Sequence, residues 1–157
     1  MIGMRALTDD EYGLICDRLS SGIHGARDVA LIILGRQTGF RISELLSIRI
    51  RHLIQEGRMV DSLRVAKRYM KKKRETRTVD LLPATQLALR DCLAYLKARG
   101  FMQGEDFVFQ SRTGHNAPIS RTRAYRIIHN TARSCGITGP IGTHSMRKTY
   151  GQKLYNR

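Results

Sequence analysis

Two spacings in this chain suit the handling of a phosphate. His144 and Arg147 stand three apart in Thr143-His144-Ser145-Met146-Arg147, so on a helix they share one face at the first turn. A guanidinium there can neutralise nonbridging oxygens, while the imidazole can move a proton near neutral pH. Alone, that pair is a weak signal. The second spacing lies in Thr38-Gly39-Phe40-Arg41-Ile42-Ser43-Glu44-Leu45-Leu46. Gly39 can take a positive φ and end one helix. Ile42, Leu45 and Leu46 recur at helical spacing, so the next helix starts at about Arg41. Unpaired N–H groups and the positive dipole end favour an anion at such a start. An arginine added there makes a phosphate clamp. The plainer alternative, a solvated arginine paired with Glu44, carries equal weight on spacing alone.

A third basic feature lies between them. From Ala66 to Arg77 seven of the twelve residues are Lys or Arg, with Lys71, Lys72, Lys73 and Arg74 in a row and Glu75 as the single acid. So many like charges repel one another unless an anion is near. Phosphate contact is favoured over a solvated turn that merely resists edge-to-edge aggregation. A fourth follows Ser120. Ala124, Ile127, Ile128, Thr131 and Cys135 form one helical face, and Arg123, Arg126, Asn130 and Arg133 line the other. An apolar back with an arginine front is the form expected of a DNA-facing helix, and a solvated face is its alternative.

The charge balance points the same way. Lys and Arg number 28 against 13 Asp and Glu, a net charge of +15 in 157 residues. That excess calls for a polyanion, most simply nucleic acid. A membrane surface fits poorly, because no helix joins a basic face to large exposed apolar residues. No apolar run spans a bilayer, and residues 1–10 lack the apolar core of a signal peptide. Cys16, Cys92 and Cys135 are widely spaced, which suggests neither a zinc site nor a disulfide framework and suits a reducing cytoplasm. At 41 % hydrophobic residues, the chain can fold as one domain with a real core.

The elements that must position these groups are mostly helices. Thr8-Asp9-Asp10-Glu11 reads as a capping box opening a helix to about Leu19. A second helix spans roughly Ala26 to Thr38. Its run Val29-Ala30-Leu31-Ile32-Ile33-Leu34 is apolar all round, which marks it as central. A short third helix follows Arg41. Met59-Val60, Leu63-Arg64-Val65 and Thr78-Val79-Asp80-Leu81 read as a three-stranded meander, with the basic segment as the loop between the last two. Pro83 opens a helix to Arg99, closed by Gly100. Phe107-Val108-Phe109 is extended, and a polar loop carrying His115 follows. Ser120 caps a helix that Gly136 stops, and Thr143 caps a last helix beginning at His144.

Taken together, the Thr38–Leu46 stretch, the lysine-bearing hairpin before Arg77-Thr78-Val79-Asp80-Leu81-Leu82-Pro83, and Thr143-His144-Ser145-Met146-Arg147-Lys148-Thr149 resemble the tyrosine recombinases (phage integrases) in order and spacing. The resemblance covers nearly the whole chain. It implies a mainly helical α+β catalytic-domain fold with a small antiparallel three-stranded sheet and hairpin. It implies site-specific DNA recombination by strand breakage and rejoining through a 3′-phosphotyrosine intermediate, with no metal and no other cofactor. Arg41 and Arg147 match the arginines that hold the scissile phosphate, and His144 matches the histidine assisting proton transfer. Lys72 best matches the hairpin lysine that protonates the leaving 5′-hydroxyl, with Lys71 and Lys73 one register away. Glu44 matches the acid that orients the first arginine. Lys71, Lys73, Arg74, Arg123, Arg126 and Arg133 are then DNA contacts. The implied partner is double-stranded DNA in the cytoplasm, gripped by a homo-tetramer of the full-length protein.

One departure from that family pattern matters. There, a histidine or tryptophan and then the nucleophilic tyrosine follow the second arginine by some tens of residues, whereas the sequence in hand runs ten residues past Arg147. Tyr150 and Tyr155 are too close to serve and are read as structural. The expectation is therefore a single catalytic domain over residues 1–157, without its nucleophile segment or an N-terminal core-binding domain, that binds DNA but does not complete cleavage alone. The competing reading is a basic DNA- or RNA-binding module with no chemistry. Aromatic residues at 6 % and the absence of Trp argue against RNA, which is commonly bound by stacking.

Overall fold

A computed structural model describes residues 3–68 and 74–155, with side chains described over 3–65 and 77–150. The expected central helix is central. α2 (Gly25–Thr38) packs against α1 (Asp9–Ser20), the short α3 (Ile42–Leu46), α5 (Pro83–Ala98) and α7 (Thr143–Tyr155). Ala30, Leu31, Ile32 and Leu34 on α2 are almost wholly buried, and Val29 and Ile33 pack at the margin of the same core. An all-round apolar helix can hide its surface only in such a position. α6 (Arg121–Ser134) closes the other side against α1, α3 and α7.

Four helices begin with the same local device, in which the third residue's side chain accepts the N–H of the residue before the helix. Glu11 Oε1 takes Thr8 N–H at 3.0 Å, and Glu44 Oε1 takes Arg41 N–H at 2.8 Å. His52 Nδ1 takes Arg49 N–H at 2.9 Å, and Ser145 Oγ takes Gly142 N–H at 3.1 Å. Thr8 completes a full capping box by accepting Glu11 N–H at 3.1 Å. The last helix therefore differs from expectation at its start. Thr143 lies inside its first turn, and Gly142 with Ser145 does the capping.

The strands also differ from the meander. β1 (Ile54–Gln55) pairs with β2 (Arg58–Met59), and β3 (Ser62–Arg68) pairs with β4 (Arg74–Asp80), as two separate two-stranded ladders among the described residues. The basic segment is largely strand rather than loop. Pairing starts at Ser62↔Asp80 and runs to Arg68↔Arg74. A ladder is built from backbone groups, so basic side chains do not stop it, and Lys67 stands across from Glu75. A four-residue helix, α4 (Ile50–Leu53), precedes β1 and has no counterpart in the sequence reading. Phe107 and Gln110 form only isolated bridges, to Arg49 and Pro118, around the fully buried Val108 and Phe109. Among the described residues no helix is long and apolar enough to cross a membrane.

Candidate functional site

The turn from α2 into α3 is fixed residue by residue. Thr38 Oγ donates to Leu34 O at 2.7 Å and accepts Phe40 N–H at 3.2 Å. Gly39 closes α2 with φ +67° and donates to Gly35 O at 2.9 Å. That left-handed conformation suits glycine, which has no Cβ to clash. Phe40 is buried, and Arg41 then emerges exposed. Glu44, itself buried, holds the Arg41 backbone through its Oε1, while Oε2 takes no hydrogen bond. Glu44 thus orients the arginine by its main chain rather than by an ion pair.

α7 is seated against this turn by two side chains one turn apart. Met146 presses on Gly35, where a Cβ would lie 2.7 Å from the Met146 sulfur and 3.3 Å from a Leu45 methyl carbon. Tyr150 covers Gly39, where a Cβ would lie 2.7 Å from two of the ring carbons. Thr149 Oγ donates to Ser145 O at 2.7 Å and accepts Leu7 N–H at 2.9 Å, so the N-terminal segment pins the helix from behind. With Met146, Thr149 and Tyr150 turned inward, His144 stays exposed and Arg147 half-exposed. Arg41 and the His144–Arg147 pair are thus anchored to one junction. None of the three makes an ion pair with another described residue.

The hairpin is moored to the same turn. Arg77 donates to Thr38 O at 3.2 Å and lies 5.0 Å from the centre of the Phe40 ring. Gln37 bridges to the end of β4, donating to Asp80 O at 2.7 Å and accepting Leu82 N–H at 3.0 Å. Lys71, Lys72 and Lys73 lie outside the described residues, and Arg74 is placed only by its strand register.

α6 carries Arg123, Arg126 and Asn130 exposed, opposite buried Ala124, Ile127 and Ile128. Arg133 has another occupation. Its two terminal nitrogens donate to Ile137 O and Gly139 O, each at 2.8 Å, and so close the turn leading to α7. His129 helps from the same helix, with Nδ1 3.0 Å from Ile141 O and its ring stacked on Tyr125. An arginine at helical spacing on an exposed face gives no sequence signal that a carbonyl pair lies within its reach.

A cleft of about 560 Å³ opens beside Arg41, walled by Ser47, Arg49, Arg51, His52 and Phe107. The sequence reading missed this group. Arg49 lies 4.1 Å above the Phe107 ring and donates to Glu105 O at 2.6 Å. Burial first, then Arg51 and Arg49, lower the His52 pKa. Among the described residues no cluster of His, Cys, Asp or Glu is arranged to hold a metal.

The sequence model described as the phage integrase family matches residues 5–157. The probable integrase/recombinase YoeC of Bacillus subtilis is 33 % identical over 132 residues, which cover 83 % of this chain and 64 % of that protein. The type 1 fimbriae regulatory protein FimE of Escherichia coli is 31 % identical, over 98 % of this chain and 73 % of its own length. Among solved structures, XerA recombinase superposes with a TM-score of 0.75 at 22 % identity, over 99 % of this chain and 51 % of that one. XerH site-specific recombinase bound to difH substrate gives 0.72 at 18 %, over 96 % and 42 %. The chain thus spans about two thirds of its curated relatives and about half or less of these solved chains.

Proposed function

The chain belongs to the phage integrase family, and we propose that it grips the scissile phosphate in site-specific DNA recombination. The observation that carries this reading is the seating of Met146 and Tyr150 on Gly35 and Gly39, which ties the Arg147 helix to the turn presenting Arg41. Two guanidiniums on one phosphodiester neutralise its nonbridging oxygens and the charge that grows there as phosphorus becomes five-coordinate. His144 stands one turn before Arg147 to assist proton transfer. In the reaction a tyrosine oxygen attacks phosphorus, the bond to the 5′-oxygen breaks, and a hairpin lysine supplies the proton to that oxygen. Lys72 is the lysine by register, with Lys71 and Lys73 beside it. The 3′-phosphotyrosine bond keeps the energy needed for rejoining.

Neither Tyr150 nor Tyr155 is that tyrosine in this reading. Tyr150 sits with its ring on Gly39, so its place is explained by packing. Double-stranded DNA is the partner in this reading, supported by the likeness to XerH recombinase bound to its difH substrate, and a tetramer on two duplexes is the working assembly. Incubating the chain with a nicked duplex tests this directly. The expected result is binding that weakens steeply with salt and no covalent adduct under denaturing conditions. An adduct mapped to Tyr150 or Tyr155 would overturn the assignment of the nucleophile, and salt-independent binding would overturn the DNA reading.

A further inference from the structure

The cleft beside Arg41 is more than a continuation of the junction with α7. Among the described residues its walls come from α3, α4, β3 and the Phe107 segment, and α7 contributes none of them. Arg49 is held ready before any ligand arrives. Its backbone N–H is taken by His52 Nδ1, its guanidinium lies on Phe107, and one terminal nitrogen donates to Glu105 O. A guanidinium ordered in advance loses little freedom when it binds an anion. With Nδ1 occupied as an acceptor, the neutral His52 ring carries its proton on Nε2 and is left with a donor.

Two carboxylates border these groups: Glu44, which lines the cleft and is engaged by the Arg41 N–H, and Glu105, which is poorly matched to its partners. Glu105 serves two guanidiniums at once, at 3.7 Å from Arg49 and 3.3 Å from Arg51, while its side chain is 70 % exposed. Exposed pairs of this kind are weak and exchange readily. A backbone phosphodiester offers these guanidiniums two nonbridging oxygens and can take a forked, charge-assisted contact that this loosely shared carboxylate does not make.

We propose that this cleft seats a second backbone phosphate of the bound duplex, flanking the one held by Arg41 and Arg147, with Arg49 and Arg51 as its ligands and Glu105 as its placeholder. The proposal rests on the DNA reading above and extends it to a subsite that α7 does not build. It makes Glu105 an inhibitor of binding, which a purely structural ion pair would not be.

The test is fluorescence anisotropy with a short random-sequence duplex, titrated with salt, for the wild type, Arg51→Gln, Glu105→Gln, Asp17→Asn and Arg126→Gln. Arg49→Gln is left aside because losing the Phe107 contact endangers the fold. Arg51→Gln is expected to reduce the slope of log affinity against log salt by roughly 0.9, one phosphate contact. Glu105→Gln is expected to tighten binding several-fold more than Asp17→Asn, which removes the same charge from exposed α1. If Arg51→Gln and Glu105→Gln bind as the wild type and the Asp17→Asn control do while Arg126→Gln weakens binding, the cleft proposal falls and the DNA reading stands. If the wild type itself shows no salt-dependent binding, the DNA reading falls with it.

Discussion

Tyr150 lies across Gly39, so the helix bearing Arg147 rests on the residue two before Arg41. The contact explains why glycine occupies that position twice over. The φ of +67° is costly for any side chain, and the space a Cβ needs is already filled by the ring.

Gly39→Ala should therefore destabilise the fold by about 2 kcal/mol or more, combining backbone strain with overpacking. Urea denaturation would measure it. Tyr150→Ala in the same chain should recover the steric part and leave the strain, so the two substitutions should not add. Additive losses would mean that the ring is not what Gly39 accommodates.

Acid should weaken the packing between α1 and the turn before α7. Arg5 forks onto Glu11 at 2.8 and 2.7 Å and also donates to Thr138 O at 2.7 Å. The Arg5 guanidinium, helped by the Thr8 N–H, holds the Glu11 carboxyl down to about 2 from an ordinary 4.5. A depressed carboxyl stabilises the fold fully above its unfolded value and loses that contribution as the pH falls from about 4.5 to about 2. Glu11→Gln should therefore be less stable than the wild type near neutrality, and the gap should close toward pH 2. Urea midpoints across that range check it.

Arg126 and Arg133 share an exposed helix face in sequence but should behave differently. Arg126→Gln should lower the salt slope of duplex binding by roughly 0.9. Arg133→Gln should leave the slope unchanged and cost about 1–3 kcal/mol of stability, because the Ile137 and Gly139 carbonyls lose their donors. Paired binding and unfolding measurements separate the two.

Much of the frame was legible because it depends on local rules. The apolar run in α2, the Thr8–Glu11 box and the Gly39 stop each follow from a few neighbouring residues, and the structure has them. The features that were missed depend on distant partners. Arg77 reaches Thr38 across 39 positions, and Arg49 finds Phe107 through a bridge between remote segments. The basic hairpin read as a loop because its side chains resemble one, whereas its backbone extends the Leu63↔Val79 pairing. His52 went unnoticed because a single histidine gives no sign that it will cap Arg49.

In the proposed site Arg41 and Arg147 close on one phosphate. A double-mutant cycle in duplex binding, with Arg41→Ala, Arg147→Ala and both together at fixed salt, tests it most directly. Non-additive losses are expected, with a coupling of about 0.5–3 kcal/mol, since removing either arm spoils the grip of the other. Losses that add to within about 0.5 kcal/mol would show two independent contacts, and the shared phosphate site would not exist.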